Sequence, residues 1–250
     1  MKVYFVGAGP GAPDLITVRG LNILRRCPVC VYAGSLVSVE HLREVPGNAQ
    51  VYNSAIMSLE AIGDVFLDAQ KKNRDVARLH TGDPTIYGAI GEQITFCERN
   101  GIDCEIVPGV SSFTASVAAL KKELTLPGVS QTIILTRCEG KTPVPEREKL
   151  EVLAQSRSSM CVFLSAGVIA SAAEQLRLHY PPDTPVTVVA RATWPDQKIV
   201  EGTLDTIVER INNEGITKTA MILVGAFLKD SGEFSNLYDK SFSTEYRRGV

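Results

Sequence analysis

No apolar stretch in this chain approaches the roughly 20 residues that a bilayer span requires, so no membrane segment is expected. Positive charge is not in excess either: 26 Lys and Arg against 28 Asp and Glu leave a formal net charge of -2. A protein that neutralises many phosphates shows a basic surplus or stripe, so nucleic acid is not an expected partner. The apolar run in Met1–Val6 is too short for a secretory signal, and Gly7 begins a turn where that run would have to continue. The cytoplasm is the expected compartment. Histidine is scarce, at His41, His80 and His179. The six cysteines are Cys27, Cys30, Cys97, Cys104, Cys138 and Cys161, and several sit in apolar runs where a reduced thiol behaves as a small hydrophobe. Cys27-Pro28-Val29-Cys30 matches C-x-x-C, but no second pair or nearby His completes a zinc set, and no metal site is expected. No G-x-x-x-x-G-K-[ST] phosphate loop is present.

What the chain does contain is an ordinary soluble composition, 44% hydrophobic and 22% charged over 250 residues. That length allows one large domain or two of about 100 to 150 residues, and two are expected. Short β-branched runs at Val3–Val6, Val29–Tyr32, Val51–Tyr52, Val76–Leu79 and Cys104–Val107 read as strands. Helices are expected between them, from Asp14 to Arg26, Ser58 to Lys72, Tyr87 to Asn100 and Ser112 to Leu120. Strands alternating with helices at this pitch imply parallel βαβ units and a doubly wound first domain, residues 1–122. The breaker Leu126-Pro127-Gly128 lies near the expected boundary.

A second α/β layer is expected over residues 123–230. Its strands are read at Thr132–Thr136, Met160–Leu164, Pro185–Ala190, Gln197–Glu201 and Ala220–Gly225, with helices at Val168–Leu178 and Thr206–Asn212. Between Thr187 and Gly202 there is room only for a hairpin-like return, so this sheet is expected to be mixed. The polar tail, residues 231–250, is expected to be mobile.

Three segments carry the chemistry: Val6-Gly7-Ala8-Gly9-Pro10-Gly11, Thr81-Gly82-Asp83-Pro84-Thr85-Ile86-Tyr87-Gly88 and Pro108-Gly109-Val110-Ser111-Ser112. Each follows a strand, and in an open α/β sheet the carboxyl ends of the strands line the ligand crevice. Any one of them alone reads equally well as a tight strand-to-helix turn. Gly7-x-Gly9 suggests a dinucleotide fingerprint, but the third glycine falls on Ala12 and Pro10 stands where backbone should approach a pyrophosphate. A nicotinamide or flavin module is therefore disfavoured.

The three segments in this order resemble the tetrapyrrole methylase family, whose members methylate uroporphyrinogen and later corrin precursors. The match runs through V-G-x-G-P-G-x-x-x-L-[IL]-T at Val6–Thr17, G-D-P-x-x-Y-G at Gly82–Gly88 and P-G-[VI]-S-[SA] at Pro108–Ser112. Val162-Phe163-Leu164 and Ala190–Gln197 extend it into the second half. Val31–Val37 and Gly82–Gln93 look most like the branch acting on precorrin-4 at carbon 11. The uroporphyrinogen branch differs, with an acidic residue where this chain has Ala33 and a second glycine where it has Thr81.

The resemblance implies a class III methyltransferase, with S-adenosylmethionine held in a cleft between the domains and S-adenosylhomocysteine as product. The implied cofactor contacts are Pro10, Thr81, Gly82, Asp83, Ile86, Ser111, Ser112, Leu164, Ala192 and Ala220. Asp83 has two readings, as an acceptor for the cofactor's ribose or amino group and as a cap for the following turn. His80 likewise either touches ligand or is a satisfied strand-end histidine. Arg19, Arg78, Arg137 and Arg191 lie beside these loops as hypothetical anchors for the carboxylates of a tetrapyrrole. No catalytic acid or base is identified, and a homodimer is expected by analogy with relatives. A family member acting on RNA or another protein, and a nucleotide-binding module without activity, are the remaining readings.

Overall fold

The computed structural model describes residues 1–140, 142–229, 235 and 239–249, so the expectation of a mobile tail falls largely outside the described residues. Two compact units are formed, Met1–Ser116 with Arg191–Gln197, and Val117–Ala190 with Lys198–Val250.

The first unit is built on five strands: β1 (Lys2–Gly7), β2 (Val29–Tyr32), β3 (Gln50–Asn53), β4 (Val76–His80) and β5 (Asp103–Val107). They lie in the order β3-β2-β4-β1-β5, every neighbouring pair parallel. A parallel sheet needs cover on both faces, and the side-chain alternation supplies two apolar layers. Tyr4, Val6, Ala77 and Leu79 pack with Ile23 and Leu24 of α1 (Val18–Leu24). Val3, Phe5, Val31 and Val76 pack on the other face with Ile62, Phe66 and Ala69 of α2 (Leu59–Lys71) and Cys97 of α3 (Gly91–Arg99). A fourth helix, α4 (Ser112–Ala119), follows β5. The neighbours β1 and β4 thus send their chains to opposite faces, which makes their carboxyl ends the topological switch point where such sheets bind ligands.

Helix α2 matches its periodicity, with Ser58 accepting from the Ala61 amide at 3.2 Å to cap it. Two other helices start later than expected. Pro13–Leu15 forms a short 3-10 turn and α1 begins only after Thr17, whose hydroxyl accepts from the Gly20 amide at 3.1 Å. The helix expected from Tyr87 begins at Gly91, because Tyr87 and Ala89 have left-handed backbone with φ of 53° and 48°.

The second unit is mixed. Its strands β6 (Ile133–Arg137), β7 (Ser159–Phe163), β8 (Pro185–Ala190), β9 (Lys198–Thr203) and β10 (Ala220–Val224) are ordered β6-β7-β10-β8-β9. Strands β6 and β7 are parallel, β10 runs antiparallel to both its neighbours, and β8 with β9 makes the expected antiparallel return. One core joins Met160, Val162, Val188 and Ile222 to Leu150 of α5 (Leu150–Leu153), Leu176 of α6 (Ile169–Arg177) and Ile207 and Ile211 of α7 (Ile207–Asn213). The four-residue α5 is too short to show a helical period and was not expected.

All six cysteines are free. Burial pushes the thiols of Cys27, Cys30, Cys97 and Cys161 up to about 12, so they stay protonated and unreactive at neutral pH. No helix of the described residues is long and apolar enough to cross a membrane. Phe66 is 1% exposed and Leu59 is 43% exposed on the same helix. We expect Phe66→Ala to cost about 3 to 5 kcal/mol in urea unfolding and Leu59→Ala about 0.5 kcal/mol.

Candidate functional site

Three loops meet at the carboxyl end of the first sheet because β4, β1 and β5 are adjacent and end at one level. Their backbones touch. The Ala8 amide donates to the His80 carbonyl at 2.8 Å, and Gly9 and Gly82 exchange a pair of bonds, Gly82 N to Gly9 O at 2.7 Å and Gly9 N to Gly82 O at 3.3 Å. Gly9 and Gly82 take φ of 84° and 60°, which a residue with a Cβ adopts only under strain. A Cβ on Gly7 would sit 2.6 Å from both Gly109 Cα and the Gly82 carbonyl oxygen, so this junction admits only glycine.

Asp83 is spent on holding the junction. Its Oδ1 accepts from the Thr85 amide at 2.8 Å and the Thr85 hydroxyl at 2.5 Å, while Oδ2 accepts from the Gly109 amide at 2.9 Å. Burial disfavours its charged form, but the Thr85 hydroxyl and the Gly109 and Thr85 amides outweigh that and hold the carboxyl below its ordinary range. The carboxylate therefore caps its own turn and ties the β4 loop to the β5 loop.

The first loop is gripped from two further sides. His41, 2% exposed, faces the Ala8 carbonyl with Nε2 at 2.8 Å and the Ser38 carbonyl with Nδ1 at 3.1 Å. Residues Arg191–Gln197 pack in this same unit. There the Thr193 hydroxyl accepts from the Ala12 amide at 2.9 Å, and the Trp194 indole donates to the Pro10 carbonyl at 3.0 Å. The indole lies against Gly11, leaving no room for a side chain there. Arg191 stacks on that indole at 4.2 Å and pairs with Asp196 at 2.6 Å.

This arrangement presents closely spaced backbone amides and carbonyls, two neighbouring serines at the start of α4, and little side-chain bulk. It suits a ligand recognised through its own polar edges and held against backbone. Among the described residues no group of three or more His, Cys, Asp or Glu side chains is placed to hold a metal ion.

The family model for tetrapyrrole (corrin/porphyrin) methylases matches residues 2–208. The chain belongs to the tetrapyrrole methylase family. A cobalt-precorrin-4 C(11)-methyltransferase of Methanocaldococcus jannaschii is 52% identical over 249 residues, 99% of this chain and 96% of that protein. A precorrin-4 C(11)-methyltransferase of Pseudomonas aeruginosa is 48% identical over 250 residues, the full length of both. Among solved structures, a cobalt precorrin-4 methyltransferase superposes with a TM-score of 0.89 at 46% identity, over 91% of this chain and 96% of the other. A uroporphyrin-III C-methyl transferase of Thermus thermophilus, solved with S-adenyl homocysteine, gives 0.75 at 28% identity over 92% and 94%.

Of the positions that the sequence singled out in this methylase, Pro10, Thr81, Gly82, Asp83, Ile86, Ser111, Ser112 and Ala192 all fall in the first unit. Leu164 and Ala220 belong to the second unit. There Leu164 is 69% exposed with a left-handed φ of 55°, just past the end of β7, and Ala220 opens β10 opposite Ala190. The four arginines suggested as anchors all have partners within the protein. Arg19 pairs with Glu105 at 3.1 Å, Arg191 with Asp196, and Arg137 donates to the carbonyls of Cys138, Thr142 and Pro143. Arg78 is buried against Gln93. His41 had no signal in one sequence, and Trp194 stood inside the Ala190–Gln197 match without being singled out, since neither lies in the loop it grips.

His80 fits neither reading in full. Its Nε2 is buried and without a hydrogen-bond partner among the described residues. Burial, with the nearby Arg78 charge, brings its pKa from 6.5 down to about 3. The folded ring therefore stays neutral where the unfolded one protonates. Its contribution to stability is complete above pH 6.5 and is lost as pH falls toward about 3. Between pH 6.5 and 5 we expect stability to fall by up to about 1.4 kcal/mol per pH unit from this residue, and urea midpoints of His80→Asn to lack that slope. Equal slopes in parent and variant would show that the ring is not held neutral.

Proposed function

We propose that this chain transfers the methyl group of S-adenosylmethionine to carbon 11 of precorrin-4, giving precorrin-5 in cobalamin biosynthesis. The observation that carries this reading is end-to-end similarity, 52% and 48% identity, to two enzymes named for that position of that substrate. Those two relatives differ in whether cobalt is named. Metal-free precorrin-4 is the substrate favoured here, and the cobalt form is the alternative that the Methanocaldococcus jannaschii relative supports.

When bound, S-adenosylmethionine supplies a methyl carbon already made electrophilic by its sulfonium. What remains for the protein is to bring that carbon and a nucleophilic ring carbon into line, a contribution of about 7 to 11 kcal/mol in well-oriented systems. Pro10, Thr81, Gly82, Asp83, Ile86, Ser111, Ser112 and Ala192 are the proposed cofactor contacts in the first unit. A Cβ at Gly82 would sit 3.6 Å from Ser111 Cα, and the buried Ser111 lies just ahead of α4. Asp83 acts there by fixing the Thr81–Asp83 turn against Gly109. The cytoplasm is the proposed compartment, in keeping with six unpaired cysteines. A homodimer is proposed on the family resemblance.

The test is incubation with labelled S-adenosylmethionine and enzymatically prepared precorrin-4, with and without cobalt, and location of the new methyl by NMR. A methyl at carbon 11 is expected, and cofactor binding without transfer to either form would overturn the substrate assignment. In calorimetry, Gly109→Ala is expected to weaken cofactor binding at least about tenfold, because a side chain there displaces the Gly82 carbonyl and Gly7.

A further inference from the structure

Two segments far apart in the chain carry proposed cofactor contacts and pack in the first unit, the Pro10–Ala12 loop after β1 and the Arg191–Gln197 turn between β8 and β9. Two side chains fasten the turn to the loop. The Trp194 indole donates to the Pro10 carbonyl at 3.0 Å, and the Thr193 hydroxyl accepts from the Ala12 amide at 2.9 Å. That carbonyl and that amide belong to the two peptides flanking Gly11. The peptide entering the glycine and the peptide leaving it are therefore both fixed from outside the loop. Between the two bonds the main chains close up. A Cβ on Gly11 would stand 3.0 Å from the Ala192 carbonyl oxygen, and the indole leaves it no room. Ala192 itself is 6% exposed. Pro10 and Ala192 are thus held near one another through Gly11.

The turn achieves this in a strained form. About two residues suffice to return an antiparallel strand, and this connection is longer. Arg191 and Thr193 have left-handed φ of 51° and 68°, and for the β-branched Thr193 that conformation is a genuine outlier. Backbone of this kind persists only where the surroundings over-determine it. Here the Thr193 amide donates to Gln197 Oε1 at 2.7 Å, the Trp194 amide to the Arg191 carbonyl at 3.0 Å, and the Gln197 amide to the Trp194 carbonyl at 3.0 Å. The Arg191 guanidinium lies over the indole at 4.2 Å, so the ring is held from its own turn as well as from the loop.

We propose that Trp194 and Thr193 are positioning residues for the cofactor: they clamp the Arg191–Gln197 turn onto the Pro10–Ala12 loop, so that Pro10 and Ala192 are set before S-adenosylmethionine arrives. Binding then loses less to the ordering of loops, and the gain is realised as affinity. This rests on the reading of Pro10 and Ala192 as contacts of that cofactor.

Two substitutions remove one bond each. Trp194→Phe keeps a ring beside Gly11 without the donor, and Thr193→Val keeps the shape of the side chain without the acceptor. In calorimetry each is expected to raise the Kd for S-adenosylmethionine about tenfold, the worth of one such bond. Thr193→Ser retains the hydroxyl and is expected to stay within about twofold of the parent. A purely structural role would lower the melting temperature and leave Kd alone, so parent-like Kd in both Trp194→Phe and Thr193→Val would overturn the proposal. A loss in Thr193→Ser equal to that in Thr193→Val would overturn it too. Should the variants not fold, the parent decides. Trp194 is the one tryptophan of the chain, and its indole N–H gives a single NMR resonance. Slow solvent exchange of that proton without cofactor, and a shift on titration with S-adenosylhomocysteine, support the clamp. Fast exchange, or no shift at saturation, overturns it. If the parent binds neither S-adenosylmethionine nor S-adenosylhomocysteine, the methyltransferase reading falls and takes the clamp with it, whereas a binding parent with parent-like variants removes the clamp alone.

Discussion

The first unit depends on how closely three backbones approach at the ends of β4, β1 and β5. Adjacent parallel strands ending at one level bring their outgoing loops into direct contact, and at Gly7 even a methyl group would stand 2.6 Å from its neighbours. With side chains excluded, the loops are joined main chain to main chain, through the Gly9 and Gly82 exchange and the Ala8 bond to His80. That junction lies at the switch point, where an open sheet binds its ligand.

Around that junction, polar side chains are satisfied by peptide groups more than by opposite charges. Asp83 accepts from two amides and a hydroxyl, His41 faces two carbonyls, and Arg78 ends on an amide side chain and two carbonyls. Bonds between a charged group and a dipole are stronger than neutral ones and, when buried, are little screened by salt. Each also fixes the orientation of a particular peptide. The ion pairs of this unit, by contrast, lie toward solvent, as with Arg19 and Glu105, where such pairs contribute little. Geometry at the site is accordingly set by bonds to backbone, with the exposed Arg191 and Asp196 pair stacked on Trp194.

Elements with a strong local signal were legible from the residues alone. Helix α2 had an apolar stripe at helical spacing and a serine cap, and β2 and β8 were bounded by the residues that bound them in the structure. The start of α3 was not legible, because nothing in Tyr87-Gly88-Ala89 reveals that Tyr87 and Ala89 are left-handed. The end of that segment is held by the Gln93 side-chain amide, which donates to the Ala89 carbonyl from four positions further on. Asp83 was legible as a residue of consequence, but not its partner at Gly109, 26 positions away.

By itself the sequence determined the α/β alternation, the mixed character of the second sheet, the family, and the three loops that meet at the carboxyl end of the first sheet. These follow from periodicity and from glycine, proline and hydroxyl residues acting within a few positions of one another. Only the tertiary structure decided what each polar side chain is for. It turned Asp83 into a tie between loops, engaged four arginines internally, and brought His41 and Trp194 to a loop 33 and 184 residues away. Those roles depend on which backbone groups are left exposed when strands and loops meet, and that is a property of the packed chain.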